Sequence, residues 1–129
     1  MSGFVATVLA MLVLDGLWLG LVARGFYRRH LGFLMGDQVN WAAAGIFYLL
    51  YAIGLTVFVV VPAIDSGSVG AALWRGALFG LIAYATYDLT NQATLRGWPT
   101  IVTAVDLGWG TILSASVGAI ATFAVLRLA

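Results

Sequence analysis

Three of the five acidic residues, Asp15, Asp88 and Asp106, lie within long apolar stretches of the chain. Even on a lenient insertion scale, a charged side chain near the bilayer centre costs roughly 2.5–3.5 kcal/mol, so it normally faces a bundle interior, a water-filled cavity or a partner. No basic residue is expected at the depth of these acids, which excludes a simple buried ion pair. The carboxyl groups must therefore share protons or bind water, a cation, or a cationic or hydroxylated ligand.

The stretch YDLTNQATLRGWP, residues 87–99, places polar groups at the end of an apolar helix. Polar residues at positions i, i+3, i+4 and i+7 share one helical face, and here they are Tyr84, Tyr87, Asp88 and Asn91. Such a stripe is incompatible with a lipid-facing position. It predicts polar groups inside the protein. Either Tyr87, Asp88 and Asn91 perform acid–base or hydrogen-bonding work together with Asp106, or the acids form structural hydrogen bonds between helices.

Equal spacing predicts that the three aspartates lie at one depth in the membrane. Asp88 lies nine residues before Gly97, and Asp106 lies nine residues after it. Asp15 lies nine residues before Arg24, which marks the same membrane boundary on the first helix. At 1.5 Å per residue, each acid is about 13 Å from that boundary. We expect the three to converge, and we expect one member of the Asp88–Asp106 pair to hold a proton.

Two aspartates are followed at the same spacing by tryptophan, in the motifs DGLW and DLGW. Trp18 shares a helical face with Asp15, and Trp109 shares one with Asp106. The spacing predicts that Trp18 lies on the loop side of Asp15 and that Trp109 lies towards the membrane centre from Asp106. Either the indoles belong to the polar site, or each N–H satisfies an acid or a carbonyl group.

The composition defines the class of protein. Of 129 residues, 63% are hydrophobic and 9% are charged, whereas soluble domains carry about a quarter charged residues. The chain is therefore an integral membrane protein. A net charge of +1 gives no reason to expect nucleic acid. The chain has no cysteine and one histidine, and we expect no cofactor. Three carboxylates could hold Mg²⁺ or Ca²⁺, but nothing else in the sequence supports a metal site.

Four apolar stretches each have the roughly 20 residues that a helix needs to cross a bilayer. We predict the spans Phe4–Val22, Trp41–Val61, Val69–Leu95 and Pro99–Leu126. The fold class is therefore all-α, a polytopic membrane protein with four transmembrane helices in an antiparallel bundle, and residues 1–129 form one domain.

Local signals mark the ends of these spans. Asn40 is suited to cap the second helix, Pro62 follows its predicted end, and Gly97 suits the turn after the third. Tryptophans near the predicted interfaces are typical of the aromatic belts of membrane proteins, and these are Trp41, Trp74 and Trp98.

Small residues indicate how the helices pack. Gly16 with Gly20, and Gly76 with Gly80, form two G-x-x-x-G pairs. The fourth helix carries a row of small residues, namely Gly110, Ser114, Gly118 and Thr122. Such positions allow helix backbones to approach closely, and we expect them to serve packing within the bundle; a homodimer is the alternative.

The arginines predict the orientation in the membrane. The first and third connections hold Arg24, Arg28, Arg29 and Arg96, whereas the other side holds Arg75 and Arg127. The positive-inside rule then places the Arg-rich loop in the cytoplasm and both termini outside. We expect Arg24, Arg28 and Arg29 to contact anionic lipid headgroups, with recruitment of a substrate as the alternative role of this loop.

The chain resembles a family of small bacterial inner-membrane proteins that is catalogued as a domain of unknown function. The resemblance rests on LDGLWLG, NWAAAGIFYLLYAIGL, YATYDLTNQATLRGWP and VDLGWG, and it covers essentially the whole chain. It implies four helices in a bacterial inner membrane. It implies no activity, cofactor or catalytic residue.

Three hypotheses for the function remain. The first is a protein that binds or modifies a lipid or another hydrophobic small molecule in a carboxylate-lined, cytoplasm-facing pocket. The second is a small dimeric proton-coupled transporter in which Asp15 exchanges protons for cargo. The third is a structural or assembly subunit whose acids bind the helix of a partner membrane protein. Whether the protein catalyses a reaction does not follow from its sequence.

Overall fold

The structure, a computed structural model, describes residues 2–128, and these residues form five helices without a strand. The helices are α1 Gly3–Val22, α2 Arg24–Leu31, α3 Trp41–Ser66, α4 Val69–Thr94 and α5 Thr100–Leu128. All except α2 are long and apolar enough to cross a bilayer. The predicted all-α fold with four spanning helices is therefore confirmed.

Side chains cap the starts of α3 and α4. The Asn40 carboxamide oxygen accepts a hydrogen bond of 3.1 Å from the backbone N–H of Ala43, as expected from the sequence. The Ser68 hydroxyl accepts a bond of the same length from the N–H of Ala71. Each bond satisfies one of the amide groups that a helix leaves free in its first turn.

The predicted end of the second span before Pro62 is wrong, because α3 continues to Ser66. Residues Thr56–Val60 form a π turn, in which the N–H of Val61 reaches the carbonyl of Thr56. In a regular helix, proline has no amide hydrogen to donate, and its ring clashes with the carbonyl group four residues earlier. The wider turn relieves this conflict just before Pro62, so the chain remains helical through the proline.

The most extensive contact in the bundle is the seam between α4 and α5. A Cβ atom at Gly80 would overlap the carbonyl oxygen of Gly110, and one at Gly76 would overlap that of Ser114. This G-x-x-x-G pair serves packing within the bundle, as predicted. The prediction is wrong for the pair in α1, because a Cβ at Gly16 or at Gly20 would meet no atom within 4 Å.

The two halves of α3 differ in their packing. In the second half, Leu55, Val59 and Val60 are buried against the neighbouring helices. In the first half, residues 41–50, every residue is exposed except Tyr48, which is half-buried. The first half of α3 therefore stands away from the bundle and leaves open space on both of its sides.

The four long helices alternate in direction along the chain. The first connection, residues 23–40, and the connection 95–99 lie at the same end of the bundle, where Phe33 approaches Gly97. We call this the arginine end. Trp98 is buried there and donates a 3.0 Å hydrogen bond to the Thr103 hydroxyl, so it is not the belt residue that we predicted. Trp41 and Trp74 are exposed, as belt residues are.

Candidate functional site

Asp88 and Asp106 come together at the seam between α4 and α5. The short turn at Gly97 pairs residues at equal distances from it, and the two carboxyl groups are neighbours. Asp88 is 0% exposed and Asp106 is 7% exposed. Neither oxygen of Asp88 has a hydrogen-bond partner in the structure. Two buried carboxyl groups in contact avoid strong repulsion when they share a proton, which makes the pair able to donate and to accept.

The side chain of Tyr27, in α2, contacts this acid pair, which was not expected from the sequence. Its hydroxyl donates a hydrogen bond to Asp106 and accepts one of 3.3 Å from the indole N–H of Trp18. Burial, followed by the bond to Asp106, raises the pKa of the Tyr27 phenol. The hydroxyl therefore keeps its proton in the neutral range and acts as a donor to the acid pair.

The two Asp-x-x-Trp motifs meet through their tryptophans. The rings of Trp18 and Trp109 are stacked, with centroids 4.4 Å apart and planes inclined by 7°. Trp18 is linked through Tyr27 to Asp106, whereas Trp109 lies beside Asp15. Each indole is thus connected to the acid of the other motif, Trp18 through Tyr27 and Trp109 directly. This arrangement follows from the antiparallel course of α1 and α5.

Asp15 does not lie at the depth of the other two acids, and the predicted single layer is wrong in this respect. Trp18 faces Trp109, and Ala6 packs with Ala121, so Asp15 falls opposite residue 112 of α5. That position is six residues beyond Asp106, or about 9 Å deeper. The cause is that α1 ends before α5 begins at the arginine end, so Arg24 does not mark the boundary that Gly97 marks.

Asp106 opens onto a cavity between α3 and α4. This cavity has a volume of about 580 Å³, and we call it the tyrosine cavity. Its lining consists of Phe47, Tyr51, Ala83, Tyr84, Thr86, Tyr87 and Asp106. A volume of this size is within the range of pockets that hold small molecules. It exists because the first half of α3 stands away from α4.

Asp15 opens onto a different space, a groove of about 660 Å³ between α1 and the first half of α3. We call this space the Asp15 groove. The side chains of Tyr48 and Trp109 lie beside the Asp15 carboxyl group. The hydroxyl of Tyr48 is buried and has no hydrogen-bond partner in the structure.

The polar stripe on α4 divides between different surroundings. Tyr84 packs against Gly110 and makes an edge contact with Tyr51. Tyr87 is 60% exposed and contacts the edge of the Trp98 ring. Asn91 is half-buried, and the hydrogen bond to Asp106 comes from Tyr27 and not from Asn91.

The hydrogen bonds that join the ends of α4 and α5 run through Gln92, which the sequence analysis overlooked. Its amide donates to the carbonyl of Trp98 at 3.1 Å, and its oxygen accepts from the hydroxyl of Thr103 at 2.9 Å. These bonds hold the hairpin that places Asp88 beside Asp106. Gln92 differs from Asn91 by one position, and no local signal distinguishes their roles.

The arginines Arg24, Arg28 and Arg29 are exposed at the arginine end. Within residues 2–128, no group of three or more potential ligands among histidine, cysteine and acidic side chains could hold a metal ion. The separation of Asp15 from the other two acids explains why three carboxylates do not form such a cluster.

Four long apolar helices around a buried acid pair define a polytopic helical membrane protein. Residues 1–123 match the family described as "Predicted membrane protein (DUF2177)", and the chain belongs to this family. Neither curated proteins nor solved structures provide a match. The family resemblance found in the motifs is confirmed.

Proposed function

We propose that the protein binds a lipid or another hydrophobic small molecule in the tyrosine cavity. The observation that carries the proposal is that Asp106, half of a buried acid pair, is the one ionisable acid among mainly aromatic lining residues. Pockets of this kind hold an apolar ligand by its body and orient it by a few polar groups. The aromatic rings contact the apolar part of the ligand, and Asp106 binds its hydroxyl or amino group.

The same geometry is suited to modification of the ligand. Asp106 lies between a carboxyl group that can share its proton and a tyrosine hydroxyl that donates to it. A group placed in this way can take a proton from a bound molecule and pass it on within the pair. Binding is the minimum function, and acid–base chemistry on the bound molecule is the extension that the pair supports.

The proposed location is a bacterial inner membrane, with the arginine end in the cytoplasm and both termini outside. The support is the exposure of Arg24, Arg28 and Arg29 beside the apolar side chains of Phe33 and Leu34. Basic and apolar groups side by side suit an interface with anionic headgroups. Fusions after Arg28 and after Ser66 to a reporter enzyme that is active only outside the cytoplasm test this orientation. An active fusion after Arg28 would show that the orientation is wrong.

Native mass spectrometry of the purified protein tests the binding proposal. Ala83→Phe places a ring in the tyrosine cavity, whereas Ile82→Phe places one on the neighbouring exposed position of the same helix. We expect the wild type and Ile82→Phe to retain a lipid or hydrophobic molecule, and Ala83→Phe to lose it.

Asp106→Asn keeps the shape of the side chain and removes its charge, and we expect it to reduce the retained fraction about tenfold, equivalent to about 1.4 kcal/mol of binding free energy. Equal retention by the wild type and all three variants would show that the tyrosine cavity is not the binding site.

A further inference from the structure

We infer that the Asp15 groove is a second binding site, distinct from the tyrosine cavity, and that its ligand is a lipophilic organic cation. The groove lies on the other side of the first half of α3 and shares no lining residue with the tyrosine cavity. The inference goes beyond the proposed function because it concerns a different acid and a different ligand class.

The shape of the groove leaves room for a ligand. Gly16 on α1 and Gly45 on α3 both line it, and a Cβ atom at either position would meet nothing within 4 Å. The two helices therefore do not close on each other at this level, although both positions carry glycine. The other lining residues are mainly apolar, which suits a ligand that enters from the bilayer.

The charge in the groove selects the sign of the ligand. Asp15 is the one ionisable acid that lines it, and no basic side chain does. The neighbours of its carboxyl group are neutral, namely the phenol of Tyr48 and the indole of Trp109. A half-buried carboxylate without a countercharge is costly inside a membrane, and a bound cation removes that cost. Trp41 and Tyr48 add aromatic rings, whose faces attract organic cations.

The depth of Asp15 favours a cation with an apolar body over the ammonium group of a lipid headgroup. Asp15 lies seven residues before Val22, where α1 ends, and beside Tyr48, seven residues after the start of α3. This corresponds to about 10 Å from the end of α1 and from the start of α3, within a hydrocarbon core about 30 Å thick. Headgroups remain at the surface of the bilayer. A cation that reaches this level must carry a delocalised or shielded charge within an apolar body.

Tetraphenylphosphonium is a probe with these properties, and tetraphenylborate is its anionic counterpart of the same shape. We propose equilibrium dialysis of radiolabelled tetraphenylphosphonium with the full-length protein in nanodiscs. We expect saturable binding that excess unlabelled tetraphenylphosphonium displaces and that tetraphenylborate does not. Binding that both ions displace equally would show that charge does not select the ligand, and the inference would be wrong.

Variants locate the site and separate it from the tyrosine cavity. We expect Asp15→Asn to weaken binding of the probe at least about tenfold, and Asp106→Asn to leave it unchanged. Gly45→Phe fills the groove and should also abolish binding, whereas Ile46→Phe, on the exposed neighbouring position, should not. Loss of binding with Asp106→Asn but not with Asp15→Asn would assign the cation to the tyrosine cavity and overturn the inference.

A second copy of the chain is the competing occupant of this groove. Disulfide-linked dimers of Gly16→Cys, together with no saturable binding of tetraphenylphosphonium by the wild type, would show that a neighbouring helix fills the groove. That result would also overturn the inference.

Discussion

The seam between α4 and α5 is closely packed, whereas α1 and α3 leave a groove between them. The two pairs of helices also differ in how apolar they are. By mean hydropathy, α1 and α3 are the more apolar helices, yet they leave a groove between them. The less apolar α4 and α5 approach so closely that Gly80 cannot carry a Cβ atom. In lipid, apolar side chains gain little by leaving one apolar environment for another, so small residues and polar contacts decide which helices meet.

This contrast explains where the polar sites lie. The close seam holds Asp88 and Asp106 in one place, and the loose first half of α3 gives Asp106 and Asp15 their separate openings. The largest effects of substitution are expected at the closely packed seam.

Gly80→Ala should destabilise the protein most. The added methyl group would overlap the Gly110 carbonyl and the Ser114 side chain, both held within the bundle. Overpacking of a close contact costs about 1–3 kcal/mol, and a clash with backbone lies at the upper end. Gly108→Ala on the facing helix is the control, because its methyl group would meet nothing within 4 Å. Thermal unfolding in detergent should separate the two, and equal melting temperatures would show that the seam does not depend on Gly80.

Asp88 distinguishes a chemical role of the acid pair from a purely structural one. Asp88→Asn keeps the size of the side chain and removes its titration, whereas Asp88→Leu adds apolar volume at a fully buried position. We expect the leucine variant to lose about 1–3 kcal/mol of unfolding free energy and the asparagine variant to remain near the wild type. Under the proposed function, Asp88→Asn should nevertheless reduce the fraction of the molecule retained in native mass spectrometry, because Asp88 is the neighbour of Asp106, which lines the cavity. If it keeps that molecule while Asp88→Leu is destabilised, the acids serve only to join helices.

Tyr27→Phe should have a smaller effect, confined to the arginine end. It removes the hydroxyl that donates to Asp106, and a hydrogen bond of this kind contributes about 1 kcal/mol. We expect faster amide hydrogen exchange in α2 and little change in α4 or α5. Tyr87→Phe is the control, because Tyr87 is exposed and its effect should stay within about 0.5 kcal/mol. Equal exchange in both variants would show that Tyr27 does not anchor α2.

Tyr27 also predicts a dependence on pH. Its pKa is raised in the folded protein, first by burial and then by the bond to Asp106. The folded state therefore binds the phenolic proton more strongly than the unfolded chain, whose tyrosine has a pKa of about 10. The stability linked to this proton is complete below pH 10 and is lost as the pH rises above it. Protection of α2 from proteolysis should fall above about pH 10 in the wild type. The Tyr27→Phe variant has no phenolic proton, so its protection should not change in this pH range.

The paired acids at the seam could be predicted because a short turn sets the register of α4 against α5. Equal distances of Asp88 and Asp106 from Gly97 placed them at one level without any knowledge of packing. The level of Asp15 could not be obtained in this way, since no short turn joins α1 to α5. The stacked tryptophans set that register, and they can do so only after the helices have packed.

The amino-acid sequence alone determined that the chain is a four-helix membrane protein with costly acids in its apolar helices. Helix length, apolar composition and caps such as Asn40 are local properties. A bilayer then requires each apolar segment to cross it as a helix. The tertiary structure alone decided which groups share a site. It places the Tyr27 hydroxyl against Asp106, Asp15 in a separate groove, and the first half of α3 away from the bundle. These outcomes depend on contacts between distant segments, because within lipid hydrophobicity does not determine which helices pack together.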